Sequence, residues 1–200
     1  MKMSNKSIQD LKMKIESCKS CDLYKNQNPC IDHSFSFDSC DVLWMGISEK
    51  IHKNQNEIPI DPSTKTGEII SLIEGGFEGV RFYRSNLVKC PPLKESKIRY
   101  PKKTEIRACW KNVSSEIKAL SPKCIILLGA MVADFFEKNY KLNLIKPSLS
   151  EGINSIFCPE IKAHILWVHH PSYIQVYKKS EILNYSNQIK NKIDELCMKK

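Results

Sequence analysis

The stretch KCIILLGAMVADFFEK, from Lys123 to Lys138, decides the fold. Cys124 to Leu128 is an unbroken apolar run, rich in Ile and Leu and too short for a helix. That is how a strand covered on both faces reads. Gly129 turns the chain, and the spacing of the apolar residues beyond it predicts a helix to about Lys138. The same alternation recurs on either side. DVLWMG (Asp41 to Gly46), Val80 to Val88 and HILWV (His164 to Val168) read as strands. Ser7 to Glu16 reads as a helix with Ile8, Leu11 and Ile15 on one face, and Thr66 to Glu74 as a helix closed by Gly75 and Gly76. Thr104 is placed to cap a helix reaching Leu120, which Pro122 follows. Ser180 is placed to cap the last helix, whose stripe is Ile182, Tyr185, Ile189, Ile193 and Leu196. His52 to Thr66 reads as a long polar loop. Strands alternating with helices predict a three-layer α/β/α sandwich with a mostly parallel central sheet.

At 200 residues the chain is expected to fold as a single domain, 1–200. Its most apolar segment, Cys124 to Phe136, is too short to cross a bilayer and contains Gly129 and Asp134. MKMSNKSIQD lacks the apolar stretch of a signal peptide, so a cytoplasmic protein with no membrane association is expected. Nine cysteines, an odd number, then argue for reduced thiols over a disulfide framework. Basic residues outnumber acidic ones 31 to 22. The excess is concentrated between Lys89 and Lys111, where eight basic residues face only Glu95 and Glu105. Such a patch suits a polyanion such as nucleic acid.

Two thiols three positions apart, Cys18 and Cys21 in CKSC, grip one metal centre readily. Two sets complete it. Cys90 and Cys109, from distant segments, would make a 4Fe–4S ligand set, whereas Cys30 and Cys40 would make a local zinc knot. Spacing does not choose between them. Cys124 and Cys197 sit in apolar patterns and read as core.

In open parallel sheets ligands bind outside the carboxyl ends of the strands. Gly46 to Glu49, Asn86 to Lys89 and His169 to Tyr173 all lie at such ends. Three polar segments, far apart in sequence, should converge on one crevice.

SNLVKCPP (Ser85 to Pro92), EIRAC (Glu105 to Cys109), PKCIILLGAMVADFF (Pro122 to Phe136) and HPSY (His170 to Tyr173), with CKSC in front, resemble the iron–sulfur branches, families 4 and 5, of the uracil-DNA glycosylase superfamily. The resemblance implies a uracil-DNA glycosylase-like α/β/α fold and a 4Fe–4S cluster on Cys18, Cys21, Cys90 and Cys109. It implies that His170 stands beside the base carbonyl and that Asn86 bonds the edge of the flipped base. Ser172 and the backbone near Pro171 would touch the DNA strand, and Gly46 would open the water-positioning loop. The chain departs from the family within that loop. GEAPG or GLAPG is replaced by Gly46-Ile47-Ser48-Glu49-Lys50, and Ile58-Pro59-Ile60 offers no aromatic where the family stacks a Phe on uracil.

The expected reaction is hydrolysis of an N-glycosidic bond after the base leaves the stack, giving an abasic site. His170 would donate to the carbonyl where negative charge develops. Asn86 would read the base edge, with Gly46 and Ile47 lining the pocket. Glu49 and Ser48 would orient water or steady the sugar cation. Lys94, Lys97, Arg99, Lys102 and Lys103 would grip phosphates, and Tyr173 and Tyr100 are placed to stack on bases. Uracil is the default base, and the protein is expected to act as a monomer. Two rivals stand beside it: a glycosylase for a bulkier modified base, suited to defence against phages, and an iron–sulfur DNA-binding protein without catalysis.

Overall fold

The computed structural model describes residues 5–54 and 57–198. Its regular elements in chain order are helix α1 (Asn5–Glu16), strand β1 (Val42–Ser48), helix α2 (Lys65–Glu74), strand β2 (Phe82–Val88), the short strands β3 (Leu93–Lys94) and β4 (Lys97–Ile98), helix α3 (Lys103–Leu120), strand β5 (Cys124–Leu128), helix α4 (Ala130–Tyr140), strands β6 (Ser155–Cys158) and β7 (Ala163–Val168), and helices α5 (Pro171–Tyr177) and α6 (Ile182–Ile193). The central sheet runs β2-β1-β5-β7-β6, and only β6 is antiparallel.

Side chains alternate across each strand, so one strand feeds two cores. Leu43, Met45, Ile125 and Leu127 face one side, where they meet Ile8 of α1, Ile106, Val113 and Ile117 of α3, and Val132 and Phe136 of α4. Val42, Trp44, Ile126 and Leu128 face the other, against Ile69, Ile70 and Ile73 of α2, Ile174 of α5, and Tyr185, Ile189 and Ile193 of α6. The three-layer expectation holds, and the unbroken apolar run at β5 has the expected cause: all five of its residues are buried. Among the described residues no helix is long and apolar enough to cross a membrane.

Helix starts differ from the expectation. Thr104 lies inside α3. The cap is Lys102, whose backbone N–H donates to the Glu105 carboxylate at 2.7 Å. Ser180 sits in a 3-10 turn, Lys179–Glu181, and Glu181 precedes α6. Helix α2 begins one residue earlier than expected, because the Thr64 hydroxyl accepts from Gly67 N at 3.0 Å.

Candidate active site

The parallel strands β1, β2, β5 and β7 bring their carboxyl ends to one edge of the sheet. Gly46 of β1 pairs in register with Asn86 of β2. A Cβ built on Gly46 would stand 2.1 Å from Asn86 Oδ1, so only glycine lets the amide lie across the strand. Asn86 is buried, and its Nδ2 donates to Glu49 Oε2 at 3.0 Å. A carboxylate only accepts, and this fixes the amide: the nitrogen faces Glu49 and Oδ1 faces the Gly46 side. Glu49 is itself buried and its Oε1 accepts from Lys50 N at 3.0 Å. His52 Nε2 also lies 3.0 Å from Oε1, without the geometry of a hydrogen bond. Ile60 closes this side, its Cδ1 3.5 Å from the same built Cβ. Its φ of 53° is rare for a β-branched residue, and Arg84 Nη1 holds its carbonyl at 2.9 Å. Ser48 is half-buried opposite Val88, and Ile47 is half-buried against the core.

His170 occupies the N-cap of α5, with Pro171 at the first helical position. Its Nδ1 accepts from Ser172 N at 3.3 Å and lies 2.7 Å from Ser172 Oγ. A ring nitrogen that accepts a backbone N–H carries no proton, so the neutral ring bears its hydrogen on Nε2. Burial pushes the His170 pKa below its usual value, which favours that neutral form. His170 stands over Gly129, whose built Cβ would lie 3.3 Å from the His170 Cβ and whose φ is 90°. Since β5 is β1's other neighbour, His170 and Asn86 flank the end of β1 from its two sides. Ser172, expected on the DNA strand, is engaged with His170.

Cys18, Cys21, Cys90 and Cys109 line one small cavity together with Tyr24, Lys89 and Asn112. Burial, followed by the neighbouring Cys109, Cys21 and Cys18, pushes the Cys90 thiol up to about 12. Lys89 N donates to Cys109 Sγ at 3.4 Å. Four thiols converging from three segments fit an iron–sulfur cluster. Neither Cys30 nor Cys40 lines this cavity. Cys30 lies beside Glu49 and His52, and Cys40 is core. The local zinc knot is therefore set aside. Cys124 is core, as expected, and Cys158 is buried in the core on the other face of the sheet.

The basic stretch is less free than its composition suggests. Lys89 is buried, its Nζ bonded to Glu116 and Ser85, while Tyr83 OH donates to the other Glu116 oxygen at 2.9 Å. Arg99 is occupied with both Glu105 oxygens and the carbonyls of Leu93 and Tyr100. Lys94, Lys97, Lys102 and Lys103 are exposed, the first two on the β3–β4 hairpin. Tyr100 is also exposed. Tyr173 belongs to a ring ladder on α5, 5.6 Å from His169 and 5.5 Å from the exposed Tyr177. Sequence reasoning missed the roles of Ile60, Gly129, Lys89 and Glu116, because their importance depends on partners far away in the chain.

A family model described as "Uracil DNA glycosylase superfamily" matches residues 32–194. The chain belongs to that superfamily, and its enzyme class is DNA glycosylase. The chain is 23% identical over 197 residues to the type-4 uracil-DNA glycosylase of Archaeoglobus fulgidus, covering 97% of this chain and 95% of that one. It is 23% identical over 180 residues to the type-4 uracil-DNA glycosylase of Sulfurisphaera tokodaii, covering 88% and 71%. Among solved structures it resembles the crystal structure of wild-type Pedobacter heparinus SMUG2, with a TM-score of 0.58, 15% identity, and 80% and 77% of the two chains covered. At that identity the likeness speaks for the fold alone.

Proposed function

We propose that the whole chain acts as one monofunctional glycosylase domain that extrudes uracil from DNA and hydrolyses its N-glycosidic bond. The observation that carries this reading is the fixed Asn86 amide. With Nδ2 turned to Glu49, Oδ1 is left to accept a hydrogen bond, and the uracil edge offers N3–H. His170 complements it. Its Nε2–H points a donor at the base carbonyl, where negative charge gathers as the bond breaks. Donation from a neutral imidazole needs no acidic pH. Extruding the base costs a few kcal/mol, offset by these contacts. Because both Glu49 oxygens are engaged, we assign Glu49 to positioning Asn86. Ser48, half-buried at the strand end, orders the water that meets the sugar cation.

We assign a 4Fe–4S cluster to Cys18, Cys21, Cys90 and Cys109. When bound it supplies a rigid clasp that fastens the segment after β2 to α3. Lys94, Lys97, Lys102 and Lys103 then meet phosphates, with Tyr173 beside the extruded base. A cytoplasmic monomer fits this reading. Ile60 favours a second one. An aliphatic wall replaces a flat stacking ring, which suits bulkier modified bases such as those of phage DNA.

The test is a panel of oligonucleotides carrying one noncanonical base each, read as alkali-labile strand breaks. Uracil should be excised, and His170→Ala should abolish excision while binding persists. Breaks only at modified bases would support the second reading. DNA binding with no break anywhere in the panel would leave a binding protein without catalysis.

A further inference from the structure

We propose that Cys30, Glu49 and His52 form a zinc-type cation site beside the base pocket, separate from the four-cysteine cavity. Such a site stands independently of the glycosylase reading. The Cys30 sulfur, a Glu49 oxygen and a His52 nitrogen lie within 4.8 Å of one another. Each ligand hangs from backbone that is already fixed. Cys30 N donates to Lys89 O at 2.8 Å, and Glu49 N to Val88 O at 3.0 Å. His52 N donates to Gln27 Oε1 at 2.8 Å. The triad is therefore built before any ion arrives.

One detail points to a missing partner. His52 Nε2 is buried and has no hydrogen-bond partner among the described residues, yet it faces the Glu49 carboxylate. A cation among the three ligands would satisfy it. One sulfur, one imidazole nitrogen and one carboxylate oxygen are borderline-soft donors, suited to zinc, whereas magnesium and calcium take oxygen. Asn86 Nδ2 on Glu49 Oε2 is the outer hydrogen bond that orients such a carboxylate. Three protein ligands leave a fourth position. Cys30 and His52 both line a polar cavity, with Gln27, Asn28 and Glu57, through which an ion and its water can enter. Binding would release the Cys30 thiol proton to solvent and leave the thiolate on the metal. The ion would then hold Glu49, and through it the Asn86 amide.

The experiment equilibrates purified holoprotein with zinc sulfate, desalts it, and measures zinc and iron content and the zinc-edge X-ray absorption. Expected is one retained zinc with one sulfur at about 2.3 Å and nitrogen or oxygen at about 2.0–2.2 Å. Cys30→Ser, which keeps the volume, and His52→Ala should each weaken zinc binding by about two orders of magnitude. Before zinc is added, iron content and melting temperature should match the wild type in both variants. Three outcomes would overturn the proposal: no retained zinc, zinc bound equally by both variants, or a zinc shell of four sulfurs, which would place the ion on the cluster cysteines.

Discussion

Exchanging the two members of the Glu49–Asn86 pair tests whether Glu49 positions the amide or activates water. In Glu49→Gln, the new Oε1 still accepts from Lys50 N, so Nε2 faces Asn86 Nδ2 donor to donor. The Asn86 amide then flips or withdraws, and the base edge loses its acceptor. In Asn86→Asp, two carboxylates stand where a 3.0 Å hydrogen bond was, and one must take a proton. Each single change removes a buried hydrogen bond to a charged group, about 1.5–3 kcal/mol, or roughly 10- to 150-fold in kcat/KM. The double variant, Glu49→Gln with Asn86→Asp, restores the pattern with its polarity reversed. The introduced glutamine would donate to the introduced aspartate, whose other oxygen still faces the base, and the net charge is that of the native pair. Single-turnover excision from a uracil oligonucleotide should therefore recover at least about tenfold in the double variant relative to either single one. If Glu49 is the group that activates water, the double variant is as dead as Glu49→Gln. Additive losses would refute the positioning role.

The exposed lysines and Arg99 separate cleanly. Lys97→Ala should flatten the dependence of log affinity on log salt by about 0.9 for duplex DNA, while Arg99→Ala should lower the melting temperature and leave that slope nearly unchanged. Equal slopes for wild type and Lys97→Ala would remove the hairpin from the DNA surface. Asp41 gives a pH signature. Burial would raise its carboxyl, but hydrogen bonds from Arg81 and Lys123 outweigh this and hold it at about 2. Its contribution is thus complete above the unfolded value of about 3.9 and fades as pH falls toward the folded value. Because Arg81 and Lys123 are partly exposed, Asp41→Asn should cost about 1–2 kcal/mol at pH 7. Urea titrations should show that difference shrinking below about pH 4. A pH-independent difference would assign the effect to packing.

Much of the fold was legible because its strands are buried on both faces. KCIILL has no alternation to misread, DVLWMG shares that property, and HILWV is buried apart from the half-buried His164 and Trp167. Strand β6 was not legible. It is short, at the sheet edge, and mostly half-exposed or exposed, so its residues carry no clear period. Charge was legible as a sum but not by destination. Lys89 reads like any other member of the basic stretch until Glu116, 27 residues on, is folded against it. His52 lies in what reads as a polar loop, and nothing local reveals that it meets Cys30 and Glu49. The four-cysteine cavity was within reach of sequence because CKSC announces one half, while the choice of the other half rested on family likeness.

On the proposed reading, base choice follows from the same amide. Uracil would show N3–H to Asn86 Oδ1. Cytosine shows a lone pair at that position, so binding it would bury two acceptors face to face. Sites that require a hydrogen bond reject an analogue lacking it by large factors, so cytosine should be excised at least ~10³-fold more slowly than uracil. Substituents at C5 of uracil leave this edge untouched, and only space can exclude them. Ile60 lies beside Gly46 with a flexible aliphatic end, where a stacked ring would be flat and unyielding, so the proposed pocket can yield to such substituents. In single strands, where no pairing partner must be given up, 5-hydroxymethyluracil should thus react within about tenfold of uracil. Equal rates for cytosine and uracil would show that Asn86 does not read the base at all.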